Sequence, residues 1–196
     1  MMQTTWTLDE ELPQLPARVR VLGAPRVVES PYGRALHFDG ARDGLIIHTN
    51  PLRGVRAFTV EALFAPDANG PAEQRFVHVN DDTADARALL ETRVVGENFY
   101  ADTFIKCAPV ELPLNDPKLL HACERWHTLA LVYDGKIMRQ YMNGVLELEG
   151  EIERNVFGEG RVSIGCRINE VFWYKGAIRT VRFTDRALEA GELLRP

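Results

Sequence analysis

The stretch Trp126-His127-Thr128-Leu129-Ala130-Leu131-Val132-Tyr133-Asp134-Gly135-Lys136-Ile137-Met138-Arg139-Gln140-Tyr141-Met142-Asn143-Gly144 decides the fold. Asp134-Gly135 and Asn143-Gly144 are turn dipeptides, because glycine and asparagine accept the positive φ that tight hairpins need. The residues between and before them read as two strands. In an extended chain Trp126, Thr128, Ala130 and Val132 point one way and His127, Leu129, Leu131 and Tyr133 the other. Both sets are largely apolar, so the first strand is expected to be buried on both faces, in the middle of two packed sheets. Trp126 is then expected between the sheets.

Outward from this hairpin the same two-residue alternation recurs. Residues 3–8, 19–22, 35–38, 58–64, 75–79, 88–95 and 99–105 read as strands, as do 145–152, 161–166 and 172–183. Asp39-Gly40 reads as a turn with 44–48 as the hairpin partner of 35–38. Glu10, Glu11, Pro13 and Pro16 mark a loop, and residues 107–123, with three prolines, mark the longest irregular segment. Residues 185–194 form the single expected helix, short and C-terminal, capped by Asp185 and interrupted by Gly191. Many short strands at regular spacing indicate an all-β, two-sheet antiparallel sandwich, with residues 1–196 as a single domain.

Composition narrows the function. Hydrophobic residues make up 45 % of the 196, enough for a packed core. The net charge of −5, from 28 acidic and 23 basic residues, argues against nucleic acid and membrane surfaces as partners, since both attract a basic patch. No apolar run approaches the roughly 20 residues that cross a bilayer. The opening Met1-Met2-Gln3-Thr4-Thr5-Trp6 has no basic, apolar leader, so a chain complete as written would stay in the cytoplasm. Cys107, Cys123 and Cys166 match no zinc spacing and read as buried thiols of a reducing compartment.

Six phrases in order carry a resemblance: 35–40 (Ala-Leu-His-Phe-Asp-Gly), 58–62 (Phe-Thr-Val-Glu-Ala), 126–135, 141–144 (Tyr-Met-Asn-Gly), 163–165 (Ser-Ile-Gly) and 176–183 (Gly-Ala-Ile-Arg-Thr-Val-Arg-Phe). Together they resemble the laminin-G-like domains of the concanavalin A-like lectin/glucanase superfamily, over roughly residues 35 to 190. The resemblance implies a jelly roll of two antiparallel sheets, one of them concave. It also implies a structural calcium site between the first and last strands of many relatives. Where those relatives carry an aspartate, this chain has Arg179, and a guanidinium cannot ligate a hard cation. The resemblance therefore implies that Arg179 replaces the ion through a bidentate pair with Asp9 or Glu10, with no metal or other cofactor.

Two groups of residues suggest chemistry. Glu147, Glu149, Glu151 and Glu153 alternate along one strand, about 7 Å apart by strand rise. This resembles the paired-carboxylate strand of laminarinase-type glycosidases, although Glu149 stands where those enzymes have aspartate and Gly150 interrupts the motif. The structural alternative is a solvated polar face. The segments 98–102 and 169–174 combine aromatic rings with amides and carboxylates, the pairing that sugar recognition uses, or else rings that pack in the core.

The leading expectation is a non-catalytic binding module with carbohydrate as the favoured ligand, held on the concave sheet by His78, Glu91, Arg93, Tyr100 and Trp173. A glycoside-active enzyme using Glu147, Glu149 and Glu151 is the first alternative, and a protein–protein module the second. A cleft around the glutamates would favour the enzyme, an edge strand the binding module. A flat face without a groove would favour the protein–protein module.

Overall fold

The computed structural model describes residues 2–9 and 18–196. Among the described residues sixteen strands form two antiparallel sheets of eight. Sheet A holds β1 (Gln3–Thr7), β3 (Arg26–Val28), β4 (Ala35–Asp39), β6 (Phe58–Pro66), β12 (His127–Tyr133), β13 (Ile137–Met142), β14 (Val145–Glu151) and β16 (Lys175–Thr184). Sheet B holds β2 (Val19–Leu22), β5 (Gly44–Ile47), β7 (Glu73–Asp81), β8 (Ala86–Val95), β9 (Asn98–Cys107), β10 (Val110–Asn115), β11 (His121–Ala122) and β15 (Gly160–Ile164). The loop expected over residues 10–16 lies outside the described residues.

Alternation builds the core. On β6, Phe58, Val60, Ala62 and Phe64 face inward and meet Phe76, Val77, Leu90 and Phe99 of the facing sheet. Phe64 stacks on Phe76 at 4.6 Å between centroids and meets Phe99 edge-on at 5.8 Å. β1 contributes Trp6, whose ring lies 4.8 Å from Phe183.

β12 is buried at every position, as its sequence predicts. Its second cover differs from the expectation. Leu129, Leu131 and Tyr133 enter the core between the sheets, whereas Ala130 and Val132 lie under Leu188 and Leu193 of the C-terminal segment. That segment is extended, with one 3₁₀ turn at Ala190–Glu192 in place of the expected helix. It is tied to side chains of the outer sheet face: the Leu194 N–H donates to Glu61, and the Thr128 hydroxyl donates to the Leu194 carbonyl. Trp126 also departs from the expectation. It precedes β12, is half-buried, and lies edge-on to Tyr32 at 5.7 Å.

Local reading misplaces two connections. β5 pairs with β15 and β2 of sheet B, not with β4. The Asp39 carboxylate accepts hydrogen bonds from the N–H groups of Ala41, Arg42 and Asp43, and the chain crosses to the other sheet instead of folding back. Within the expected irregular segment, β10 pairs with β9 over its full length and β11 pairs with Phe99 and Asn98. Pro113 is tolerated because β10 is an edge strand, where one N–H has no ladder to join.

Arg179 lies where the N-terminal strand meets β16. Its Nη1 is 3.7 Å from Asp9 Oδ2, and its Nε donates to the Tyr32 carbonyl at 3.1 Å. The contact to Asp9 is a single ion pair, not the expected fork, because the other arm serves Tyr32. Glu10 lies outside the described residues.

Candidate functional site

The glutamates of β14 do not form a carboxylate face. β14 is the edge strand of sheet A, and a bulge between Gln140 and Tyr141 of its neighbour shifts the register there. Glu147 turns inward, 2.7 Å from His121 Nε2 and 3.1 Å from Gln140 Nε2. Glu149 pairs with Arg139 and Glu151 with Lys136 at the surface. Each of these carboxylates is thus engaged by a different basic or amide partner on an edge strand, the placement that favours the binding module over the enzyme.

The outer face of sheet B carries a different group. Alternation on β8 places Arg87, Leu89, Glu91 and Arg93 on this face, and antiparallel register sets Asp102 opposite Glu91 and Phe104 opposite Leu89. On the other side Arg75 of β7 lies opposite Glu91. These residues, with Pro113 and Asn115 of β10 and Arg167 of the loop after β15, line a pocket of about 260 Å³. Leu89, Phe104 and Pro113 supply its apolar surface.

Ion pairs fix the polar side chains. Arg93 donates from Nε and Nη2 to Asp102 Oδ2, at 3.0 and 2.7 Å, and its Nη1 is 2.7 Å from Glu73. Arg75 Nε lies 3.2 Å from Glu91 Oε2, and its guanidinium sits 3.6 Å from the centre of the Phe172 ring. Arg87 pairs with Asp85 at 3.0 Å. Asp102 Oδ1 and Arg75 Nη1 are buried without a hydrogen bond. Because these groups stand on paired strands, their positions are set before any ligand arrives.

Of the residues singled out from sequence, Glu91 and Arg93 line this pocket. His78 is on the same sheet face but buried, its Nδ1 accepting the Ile168 N–H. Tyr100 sits opposite Arg93 and does not line the pocket. Trp173 packs instead against Leu22, Ile46 and Cys166. Phe99 and Tyr174, from the two aromatic segments, are core residues. Asp102, the carboxylate of segment 98–102, also lines the pocket; sequence reading missed Arg75 and Phe104, which cross-strand register would have supplied, and Arg167, for which no local signal exists. Among the thiols, Cys123 and Cys166 are buried, and burial pushes them up to about 11 and about 12, whereas Cys107 is half-exposed.

The electrostatics of the pocket are uneven. Burial, and after it the neighbouring Asp102 carboxylate, push the Glu91 carboxyl up to about 7, although Arg75 and Arg93 pull the other way. Burial lowers His78 to about 3, helped by the cations of Arg167, Arg87 and Arg75. Glu91 in the unfolded chain ionises near 4.5, so over the window from about pH 8 to about pH 6.5 only the folded form takes up its proton. The Glu91 contribution to folding stability is therefore expected to rise by about 1 kcal/mol as pH falls through this window. From about pH 7.5 downward His78 acts in the opposite sense, because the unfolded ring protonates around 6.5 and the folded one stays neutral. Glu91→Gln is expected to remove the rise. Urea midpoints of both proteins across the window provide the check, and parallel curves would refute the Glu91 assignment.

An antiparallel jelly-roll sandwich with a charged pocket on one outer face places the chain among the lectin-like all-β folds. Residues 39–194 match the laminin G model of the concanavalin A-like lectin/glucanases superfamily, and the chain belongs to that superfamily. Solved structures share the fold. Domain 4 of AbnA, a GH43 extracellular arabinanase from Geobacillus stearothermophilus, solved with arabinotriose, is 15 % identical with a TM-score of 0.68, covering 97 % of this chain and 85 % of that one. The botulinum neurotoxin serotype D binding domain is 13 % identical with a TM-score of 0.66, and the binding domain of Paraclostridial Mosquitocidal Protein 1 is 12 % identical with a TM-score of 0.68. Each alignment to these toxin domains covers 96 % of this chain and 49 % of the toxin domain, so the chain spans about half of their length. Among curated proteins no sequence matches.

Proposed function

We propose that this chain is a non-catalytic carbohydrate-binding module and that the pocket on the outer face of sheet B is its ligand site. The observation that carries this reading is the lining itself: an apolar strip of Leu89, Phe104 and Pro113 beside the positioned carboxyl and guanidinium groups of Glu91, Arg93, Asp102 and Arg75. A pyranose has the matching character, with an apolar face for Phe104 and a rim of hydroxyls for carboxylates and guanidinium groups. The arabinotriose held by the arabinanase domain supports the same ligand class for a domain of this fold. A pocketed face also supports this reading over a flat protein–protein surface.

The pocket volume of about 260 Å³ lies just under the usual range for ligand sites, roughly 300–1,000 Å³, and suits a single sugar residue. About 12 non-hydrogen atoms at about 0.3 kcal/mol each give a Kd on the order of 1 mM. The experiment is an NMR titration with an oligosaccharide panel to about 20 mM. Shifts clustered on β8, β9 and the Phe104 ring are expected, with loss of binding in Phe104→Ala. Absence of any shift across the panel, or shifts elsewhere on the surface, would overturn the assignment.

A further inference from the structure

Four guanidinium groups line the pocket, and three of them have a carboxylate of this chain as partner. Arg93 is held by Asp102 and Glu73, Arg75 by Glu91, and Arg87 by Asp85. Arg167 forms no ion pair with any described residue, although it is half-buried. Its charge is disfavoured first by burial and then by the cations of Arg87 and Arg75, which the more weakly acting carboxylates of Glu91 and Asp85 offset only in part. The loop holds it there by its own hydrogen bonds, from the Arg167 N–H to the Val171 carbonyl and from the Glu170 N–H to the Arg167 carbonyl. The same loop is pinned to the sheet by the Ile168 N–H on His78.

A part-desolvated cation beside two other guanidinium groups, with no carboxylate in direct contact, is an incompletely compensated charge that a ligand anion would neutralise. We propose that the pocket selects sugars that carry a carboxylate, and that Arg167 receives that carboxylate. This deepens the carbohydrate reading and rests on it. A carboxylate fits the planar fork of a guanidinium by two parallel hydrogen bonds, which a neutral hydroxyl does not reproduce. The sugar ring then lies toward Phe104 and Leu89, with Asn115 at the open rim. Arg93 stays in its clamp on Asp102 and sets the shape of the wall, so discrimination by charge falls to Arg167.

The test compares uronic- and sialic-acid-bearing oligosaccharides with the same compounds after reduction of each carboxyl to an alcohol, by NMR titration and calorimetry. The acid form is expected to bind at least about tenfold more tightly than its reduced partner, with an advantage that shrinks as salt is added. Arg167→Gln is expected to abolish the difference and leave the weak binding of the reduced form, and Arg167→Lys to keep part of it. Equal binding of acid and reduced sugars would leave the carbohydrate reading standing and overturn the proposal. A preference that survives Arg167→Gln would overturn it as well. Sodium acetate binding as tightly as the acid sugar would mark a plain anion site and overturn the sugar specificity. Failure of every sugar to bind would overturn both readings together.

Discussion

Glu61→Ala is expected to destabilise the protein by about 3 kcal/mol and to release the C-terminal segment. Glu61 stands mid-strand on β6, on the outer face of sheet A, with a side chain only 1 % exposed. One carboxylate oxygen accepts from Arg182 Nε at 2.5 Å, and the other accepts the Leu194 N–H at 2.8 Å. Arg182 in turn donates to the Glu192 carbonyl. Removing one partner of a buried pair costs about 3–5 kcal/mol, because the remaining charge stays desolvated. The lower figure applies here, since Arg182 is 15 % exposed and its head can turn to water. Loss of the Leu194 anchor also uncovers Ala130 and Val132. Glu61→Gln keeps an acceptor for Leu194 and is expected to cost about half as much. Urea denaturation gives the free energies, and hydrogen exchange reads the Leu188 and Leu194 amides. An alanine variant within about 0.5 kcal/mol of the parent, with those amides still protected, would show that the tail is held by apolar contact alone.

The same contact explains what sequence reading reaches and where it stops. Alternation made most strands legible, and the burial of β12 on both faces follows from its residues alone. What covers the second face does not follow, because the covering residues lie more than fifty positions away. Leu188 and Leu193 are five residues apart, a spacing that an α-helix or an unbroken strand would turn to different faces, and the 3₁₀ turn at Ala190–Glu192 between two extended stretches lets the segment bury both. The Asp39-Gly40 dipeptide has the composition of a hairpin turn, yet the Asp39 carboxylate gathers three successive N–H groups and the chain changes sheets. Sheet membership is a long-range property, so a turn dipeptide does not carry it.

The pocket divides along the same line. Glu91 and Arg93 were legible because they alternate on one strand. Asp102 and Arg75 join them only through register, and Arg167 arrives from a loop far along the chain. Tyr100 and Trp173 had the right chemistry, but residue type does not say which neighbour a ring will meet. Trp173 finds an apolar patch over Ile46 and Cys166 and stays on it.

Phe64→Ala is expected to cost about 3–5 kcal/mol, whereas Trp126→Ala is expected to cost about 1–2 kcal/mol. By size alone the order would be reversed, since tryptophan is the larger side chain. Position decides otherwise. Phe64 is fully buried and bridges the sheets, stacked on Phe76 at 4.6 Å, with Phe99 at 5.8 Å and His127 at 6.3 Å. Two hydrogen-bonded sheets set the spacing around it, so the void left by alanine cannot collapse, and the cavity cost adds to the lost transfer energy. Trp126 loses a partial burial and one edge-on contact with Tyr32, a ring itself 39 % exposed. Water fills the space its removal leaves, so no cavity cost arises. Chemical denaturation of the two variants side by side measures the ordering. Equal losses, or a greater loss at Trp126, would place the tryptophan between the sheets and contradict the strand boundary at His127.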